Sequence, residues 1–375
     1  MTLALVVIAR DEAPRIQRLL NSVAPWVDDM LVLDTGSRDD TVQRAVASGA
    51  RVAHFSWCDD FAAARNAALA HSHADWHLVL DADEWLVEGG PALHELATIQ
   101  PDFVGALRLD DVDAPGGVVH SWLSRLLPGA VRYGGRVHEQ PLHQLPVKRV
   151  PLVVRHDGYS SARLALKHGR NRRLLRAELD ESPNDAYLWY QLGKDHAAYD
   201  EHPQAADAFL QAVAAPRRAA VAAAAAPWHT DLTTCALYAL KRAGRHEQAV
   251  GLAEQSLQTC SDSPDFFFAL GDLLLDMAVE RPEEVDRLLP MAQAAWQRCL
   301  EIGERPDQHG SVAGRGSHLA AHNLAVVCSG LGLTAEAEHW RARYPSPAPR
   351  EFTTQNQPPG RGSTCSANNS PWAPD

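Results

Sequence analysis

The chain has 375 residues, which leaves room for two domains with a hydrophobic core each. Its 35 lysine and arginine residues stand against 47 aspartate and glutamate residues, so the formal net charge is −12 at pH 7. This negative charge argues against general nucleic-acid binding, which usually requires a basic face.

The first hundred residues repeat a pattern of a predicted strand followed by a predicted helix. The strands are short apolar runs, and the helices carry apolar residues at helical spacing. This alternation predicts a parallel, three-layer α/β sheet. The predicted strands are Leu3–Ile8, Met30–Leu33, Arg51–Phe55 and Trp76–Leu80, and the predicted helices begin at Pro14, Thr41 and Asp60.

Acidic side chains follow three of these strands. Glu12 comes after the first, Asp34 after the second, and Asp81 and Asp83 after the fourth. Open α/β sheets bind their ligands at the carboxyl ends of the strands. Because side chains of a strand alternate between its faces, Asp81 and Asp83 are expected to point the same way. Two carboxylates at that edge suit Mg²⁺ or Mn²⁺ carrying a diphosphate.

Several segments resemble the nucleotide-sugar half of family 2 glycosyltransferases, which have a GT-A fold. The similarity covers about residues 2–215 and is strongest to bacterial members with a tetratricopeptide tail, including peptide S-glycosyltransferases of bacteriocin pathways. It implies a GT-A, Rossmann-like nucleotide-sugar-binding sheet over residues 1–160. The segments are VLDTGSRDDT (32–41), DDFAAARNAA (59–68), LDADEW (80–85), RYGGRVHEQ (132–140) and HDGY (156–159).

The resemblance implies a separate task for each aspartate of the D-x-D motif. Asp83 is expected to bind the metal, and Asp81 to contact the ribose of the donor. Many GT-A enzymes complete the metal site with a late histidine, and His156 has that place here; a structural histidine is the alternative. Trp85 is expected either to wall the sugar pocket or to pack in the core.

The donor site is expected to include three further residues. Glu12 lies at the end of the first strand, and the resemblance implies that Asp34 contacts the uracil or ribose. Asp34 could instead bond its own turn backbone. Arg65 resembles the basic residue on the donor side, near the diphosphate, but it could also be a solvated helix residue paired with Asp59 or Asp60.

A base is needed to take the proton of the acceptor as it attacks the anomeric carbon. Family 2 enzymes invert configuration in a single displacement, so one base suffices. Glu139 is the first candidate and His138 the second; either could instead support a loop. A metalloprotease site is excluded, because its zinc motif H-E-x-x-H must lie on a helix. Here His138 and His143 are five positions apart, and Pro141 would break a helix between them.

Other chemistries lack their motifs. No G-x-G-x-x-G follows the first strand, and the sequence contains neither a P-loop nor a G-x-S-x-G elbow. The six cysteines include no C-x-x-C, which favours free thiols in a reducing cytosol over a zinc site or disulfide framework.

The second half is rich in alanine and leucine at helical spacing. Trp189-x-x-Leu192-Gly193 and the residues after it match the tetratricopeptide pattern, and three to four stacked hairpins are predicted over 183–344. A connecting helix is predicted over 161–182, an alanine-rich helix over 214–226, and a disordered tail over 345–375. The fold class is therefore α/β followed by an all-α, TPR-like domain.

The sequence thus predicts an inverting glycosyltransferase that uses Mn²⁺ or Mg²⁺ and a nucleotide-sugar donor, most simply UDP-linked. The acceptor is a peptide, a glycan or a lipid-linked molecule, and the repeats are expected to contact it, bind a protein partner or self-associate. No transmembrane segment and no signal peptide are predicted, so the expected location is the cytoplasm, with peripheral attachment to the inner membrane face left open. The alternatives are a non-catalytic repeat scaffold with a degenerate transferase domain and a nucleotidyltransferase-like enzyme.

Overall fold

A computed structural model describes residues 1–112, 117–157, 169–216 and 227–346. The first part of the predicted connecting helix, most of the alanine-rich segment and nearly all of the predicted tail lie outside these ranges. Gly158 and Tyr159 of the HDGY segment lie outside them as well.

The first four strands and the helices between them confirm the predicted elements. The strands run side by side in the order β3-β2-β1-β4 and are all parallel. Helix α1 turns four apolar residues inward at helical spacing, as its sequence predicts. The elements are β1 (Leu3–Ala9), α1 (Ile16–Val23), β2 (Asp29–Asp34), α2 (Thr41–Ala47), β3 (Arg51–His54), α3 (Phe61–Ala70) and β4 (Trp76–Asp81).

Beyond β4 the sheet is mixed, so the prediction of a parallel sheet is wrong there. The order continues β4-β7-β6-β10-β5; β7 is antiparallel to both neighbours, and β10 is parallel to β6 but antiparallel to β5. Parallel strands need a long crossover, and the chain between β6 and β7 is too short for one. These elements are β5 (Glu84–Glu88), α4 (Gly90–Leu96), β6 (Val104–Asp111), β7 (Val119–Pro128), β8 (Arg132–Gly134), β9 (Gln140–Leu142) and β10 (Val147–His156).

Strands β8 and β9 form a separate hairpin that packs on α3. Asn66 of α3 fixes this hairpin, because its side chain accepts from the Tyr133 N–H (2.8 Å) and donates to the Tyr133 carbonyl (2.9 Å). The side chain of Val137 extends the contact to the helical half, where it packs against three buried leucines, Leu174, Leu175 and Leu179.

The second half of the described chain is helical. Helix α5 precedes four successive helix pairs, α6/α7, α8/α9, α10/α11 and α12/α13. One continuous apolar cluster runs through these pairs. The helices are α5 (Arg170–Glu181), α6 (Ala186–Ala197), α7 (His202–Ala214), α8 (His229–Arg242), α9 (His246–Ser256), α10 (Pro264–Glu280), α11 (Val285–Ile302), α12 (His318–Gly330) and α13 (Thr334–Arg343).

Gly193 and Gly271 permit close packing between helices. A methyl group on Gly193 would lie 2.4 Å from the ring of Phe209. In the third pair, the second helix includes a proline. Helix α11 starts at Val285 and keeps Pro290 inside it, because burial of one face, including Trp296, outweighs one lost backbone hydrogen bond.

The helical half also adds a strand to the sheet. Strand β11 (Ser311–Val312), between α11 and α12, pairs antiparallel with the start of β7. The Trp122 indole nitrogen donates to the Pro306 carbonyl (3.0 Å), and Arg149 donates to the Asp307 carbonyl (2.6 Å). The two halves are therefore joined by the pairing of β11 with β7 and by side chains of β7 and β10 that donate to carbonyl groups of the helical half. Among the described helices, none has the length and apolar character needed to cross a membrane.

Candidate active site

The carboxylate of Asp81, at the carboxyl end of β4, lies between two buried arginines. Arg65 Nη2 of α3 is 2.6 Å from Asp81 Oδ1, and Arg125 Nη2 of β7 is 2.8 Å from Asp81 Oδ2. Arg125 also contacts Glu84 at 3.3 Å. Sequence reasoning missed Arg125, because its place beside Asp81 depends on the antiparallel pairing of β7 with β4.

Arg65 is buried, with 5% of its side chain exposed, so the alternative of a solvated arginine paired with Asp59 or Asp60 is wrong. Besides Asp81, Arg65 binds Glu139 through its Nε. Asp60 instead caps α3 by accepting from the Ala63 N–H. Helix α3 thus holds one aspartate of the D-x-D motif and the first candidate base in a single ion-paired group.

The charges of this group decide which carboxylates are ionised. Burial disfavours the Asp81 carboxylate, but Arg125 and Arg65 outweigh it and hold the pKa of Asp81 well below its usual range. Glu84 is more deeply buried than Asp81, and burial raises its pKa to about 7, although Arg125 opposes the rise. Asp81 therefore carries the fixed negative charge, and Glu84 titrates near neutrality.

Asp83 does not continue the strand, because residues 82 and 83 form a turn before β5. The expectation that Asp81 and Asp83 point the same way as strand neighbours is therefore wrong. Asp83 instead faces His156 at the end of β10, with 3.4 Å between Asp83 Oδ2 and His156 Nε2. Burial disfavours the imidazolium, but Asp111 and Asp83 outweigh it and raise the pKa of His156 to about 11.

Asp83 and His156 fit two neighbouring positions of a divalent ion. Adjacent ligands of an octahedral ion with bonds near 2.1 Å are about 3 Å apart, close to the separation found. Within the described residues, no three His, Cys, Asp or Glu side chains form a metal-holding group. An ion here would need oxygen ligands from water or substrate, which is how Mg²⁺ is commonly held with phosphates.

Asp34 and Glu12 lie at the same edge of the sheet. The Asp34 carboxylate accepts from the N–H groups of Gly36 (3.1 Å) and Ser37 (3.2 Å), so it does bond its own turn. The exposed His54 lies 3.5 Å from it. Glu12 donates its N–H to Thr41 Oγ1 at 2.8 Å, which ties the β1–α1 loop to α2. Donor contacts of Asp34 and Glu12 remain predictions.

Trp85 is half-buried rather than a core residue. The guanidinium of Arg18 lies 3.7 Å from its ring centroid, and Arg18 also pairs with Asp157 at 2.7 Å. One face of the indole is therefore covered by α1, which leaves only the other face for a ligand.

The candidate bases lie where the β8–β9 hairpin meets the helical half. Glu139 is 9% exposed and bonded to Arg65, and His138 has a left-handed backbone with φ 52°. The Gln140 side chain donates to the Tyr187 hydroxyl of α6 at 2.8 Å. A cavity of about 290 Å³ lies between the hairpin and the helices; its lining includes Gly135, His138, Gln140, Glu178, Asp185 and Tyr187.

Comparisons with known proteins agree with this geometry. Residues 4–112 match the family model described as Glycosyl transferase family 2. A TPR repeat-containing protein of Synechococcus elongatus is 38% identical over 206 residues, which are 51% of this chain and 51% of the relative. The SPbeta prophage-derived glycosyltransferase SunS of Bacillus subtilis is 28% identical over 218 residues, 55% of this chain and 52% of the relative. The chain thus spans about half the length of these curated relatives.

Solved structures give a more distant likeness. Glucosyl-3-phosphoglycerate synthase from Mycobacterium tuberculosis, in complex with Mn²⁺, UDP and glucosyl-3-phosphoglycerate, is 28% identical. The match covers 29% of this chain and 44% of the synthase, with a TM-score of 0.25. A TM-score this low carries no argument about function.

Proposed function

We propose that this chain, which carries a family 2 glycosyltransferase domain in its N-terminal half, transfers a sugar from a UDP-linked donor with inversion of configuration and with Mn²⁺ or Mg²⁺. One observation supports this above all others. Asp81 is fixed between Arg65 and Arg125 at the ligand-binding edge of the sheet, with Asp83 beside His156 in the following turn.

The donor would lie along this edge. Asp81, held ionised by its two arginines, would accept hydrogen bonds from the ribose hydroxyls, and Asp34 and Glu12 would contact the nucleoside. Asp83 and His156 would hold the divalent ion, which neutralises charge on the diphosphate as a Lewis acid. Arg65, already bonded to Asp81, would add positive charge on the side of the leaving group.

The acceptor would be deprotonated by Glu139, with His138 as the second candidate. As the acceptor oxygen or sulfur bonds to the anomeric carbon and the bond to the diphosphate breaks, its proton passes to the Glu139 carboxylate. The bond from Arg65 fixes the direction of the Glu139 carboxylate. Arg65 therefore links the donor side of the site to the acceptor side.

The acceptor would enter through the cavity between the hairpin and the helices. The cavity is lined by His138 and Gln140, the two chain neighbours of Glu139. Tyr187 of α6 also lines it and accepts a hydrogen bond from Gln140. Acceptor recognition would thus need both halves of the chain. A peptide, a glycan or a lipid-linked molecule is the proposed acceptor. We also propose a cytoplasmic location, because the five cysteines in the described part of the chain are free thiols.

A thermal-shift panel tests the donor and metal proposals together. UDP, GDP, CMP and dTDP are each added with Mn²⁺ or with EDTA to the wild type, to Asp83→Ala and to Asp102→Ala. Asp102 is the control, because its carboxylate is 71% exposed and its ion pair with Lys148 is long, at 3.9 Å. A ligand at a hundred times its dissociation constant stabilises the native state by about 2.7 kcal/mol.

We expect UDP to stabilise the wild type and Asp102→Ala with Mn²⁺ but not with EDTA, and to leave Asp83→Ala unchanged. Hydrolysis of a set of UDP-sugars then identifies the sugar. If no nucleotide shifts the melting temperature, the transferase proposal fails and a repeat scaffold becomes the better explanation. A shift that persists in Asp83→Ala would reject the metal role of Asp83 alone.

A further inference from the structure

The imidazole of His156 lies between two carboxylates. Its Nε2 is 3.4 Å from Asp83 Oδ2, and its Nδ1 is 3.9 Å from Asp111 Oδ1. All three side chains are nearly buried, with 11% to 15% exposed. Asp111 lies in no motif that the sequence singles out, and it comes 45 positions before His156 in the chain.

Strand pairing places Asp111 beside the histidine. In the parallel pair of β6 and β10, Asp111 and His156 are register partners, and the Val112 N–H donates to the His156 carbonyl at 3.2 Å. On the other side of β10, His156 is the register partner of Glu84 of β5, the residue after Asp83. Backbone hydrogen bonds on both edges therefore hold the ring between Asp111 and Asp83.

We propose that Asp111 is a positioning residue for the metal site: its carboxylate directs the Nδ1–H side of His156 so that Nε2 faces Asp83 and the ion. This inference rests on the proposed function, in which Asp83 and His156 are the metal ligands. A histidine ligand generally has such a partner on its other ring nitrogen, which fixes the tautomer and the ring orientation.

The neighbouring residue supplies a matched control. Asp110 is also buried and also paired with a histidine, since its Oδ1 lies 2.7 Å from His120 Nδ1. Adjacent residues of a strand point to opposite faces, so Asp110 faces away from His156. Substitutions at Asp110 and Asp111 remove the same charge and a carboxylate that faces a histidine. Asp110 also loses its pair with Arg108 (2.9 Å), and only Asp111 reaches the proposed metal site.

The experiment is a Mn²⁺ titration of the full chain with UDP present, followed by the EPR signal of free Mn²⁺, with UDP alone as the blank. It compares the wild type, Asp83→Ala, Asp111→Ala, Asp111→Asn, Asp110→Ala and Asp110→Asn. We expect Asp111→Ala to raise the dissociation constant of Mn²⁺ by about 10-fold to 100-fold. Asp111→Asn should raise it less, because the amide oxygen keeps a polar acceptor facing Nδ1 without the charge, and both Asp110 variants should bind as the wild type does.

Two other outcomes would overturn the role of Asp111 or the metal site itself. If Asp111→Ala and Asp111→Asn bind Mn²⁺ like the Asp110 variants while Asp83→Ala binds it weakly, Asp111 has no positioning role and the metal site stands. If wild type and Asp83→Ala bind Mn²⁺ alike, the metal site fails and this inference fails with it. Far-UV circular dichroism checks folding, and Asp111→Asn, the isosteric change, decides the question if Asp111→Ala does not fold.

Discussion

Replacing Arg65 by methionine is expected to destabilise the transferase half strongly. The change keeps a long side chain but removes the cation that binds both Asp81 and Glu139. Asp81 and Glu84 would then share Arg125 alone, and Glu139 would lose its charged partner. Removing one partner of a buried ion pair typically costs about 3–5 kcal/mol.

Arg51→Met is the matched control. Like Arg65, Arg51 makes two charged contacts, in its case both to Asp29, with 3.0 Å between Arg51 Nε and Asp29 Oδ1. Its side chain is 54% exposed, whereas that of Arg65 is 5% exposed. An exposed pair contributes only about 0.2–1 kcal/mol, because water solvates both ions after the change. The two variants therefore separate burial from pairing as the source of the effect.

The assay is equilibrium urea unfolding followed by tryptophan fluorescence, with each transition fitted separately. In Arg65→Met the Glu139 carboxylate stays in place without its cation, so the desolvation of its charge is no longer offset. Adding Glu139→Gln should recover part of the loss. Burial is not the source of the effect if Arg65→Met costs no more than Arg51→Met, and the unpaired Glu139 charge is not part of it if Glu139→Gln recovers nothing.

Three further changes have definite expected results. Gly271→Ala places a methyl group 2.5 Å from the Trp296 indole nitrogen and should destabilise the helical half by about 1–3 kcal/mol in urea; an unchanged midpoint would show that the helices shift freely. The pKa of Glu84 is about 7 in the folded protein and 4.5 ordinarily, so the folded state holds this proton more tightly. The stability that protonated Glu84 contributes below pH 4.5 is therefore lost as pH rises through 7. Glu84→Gln should therefore gain about 3 kcal/mol on the wild type between pH 4.5 and 8, and a constant difference would contradict this. Glu139→Gln should slow transfer or donor hydrolysis by about 10²-fold to 10⁴-fold while UDP still stabilises the protein, and a larger loss in His138→Asn would make His138 the base.

Local patterns were sufficient for the first four strands and the helices between them. Each is a short apolar run or an amphipathic segment, so its type can be predicted from its own residues. The turn at Asp34 was one of two predicted roles for that residue, the other being a donor contact, since an aspartate before Thr-Gly-Ser commonly bonds its own backbone. The residue types at the strand ends showed which edge of the sheet is the candidate site.

Which of those residues meet was decided by tertiary structure. Glu139 is 74 positions from Arg65, and Arg125 is 44 positions from Asp81, so neither pairing leaves a periodic trace in the sequence. Both depend on the direction and register of strands and on the packing of a hairpin against α3. The same holds for β11, whose two residues extend the sheet only because the helical repeats bring them to β7. The sequence by itself thus determined the elements and the chemical character of the edge, whereas long-range backbone pairing chose the partners, because contacts between distant segments depend on the whole packed fold.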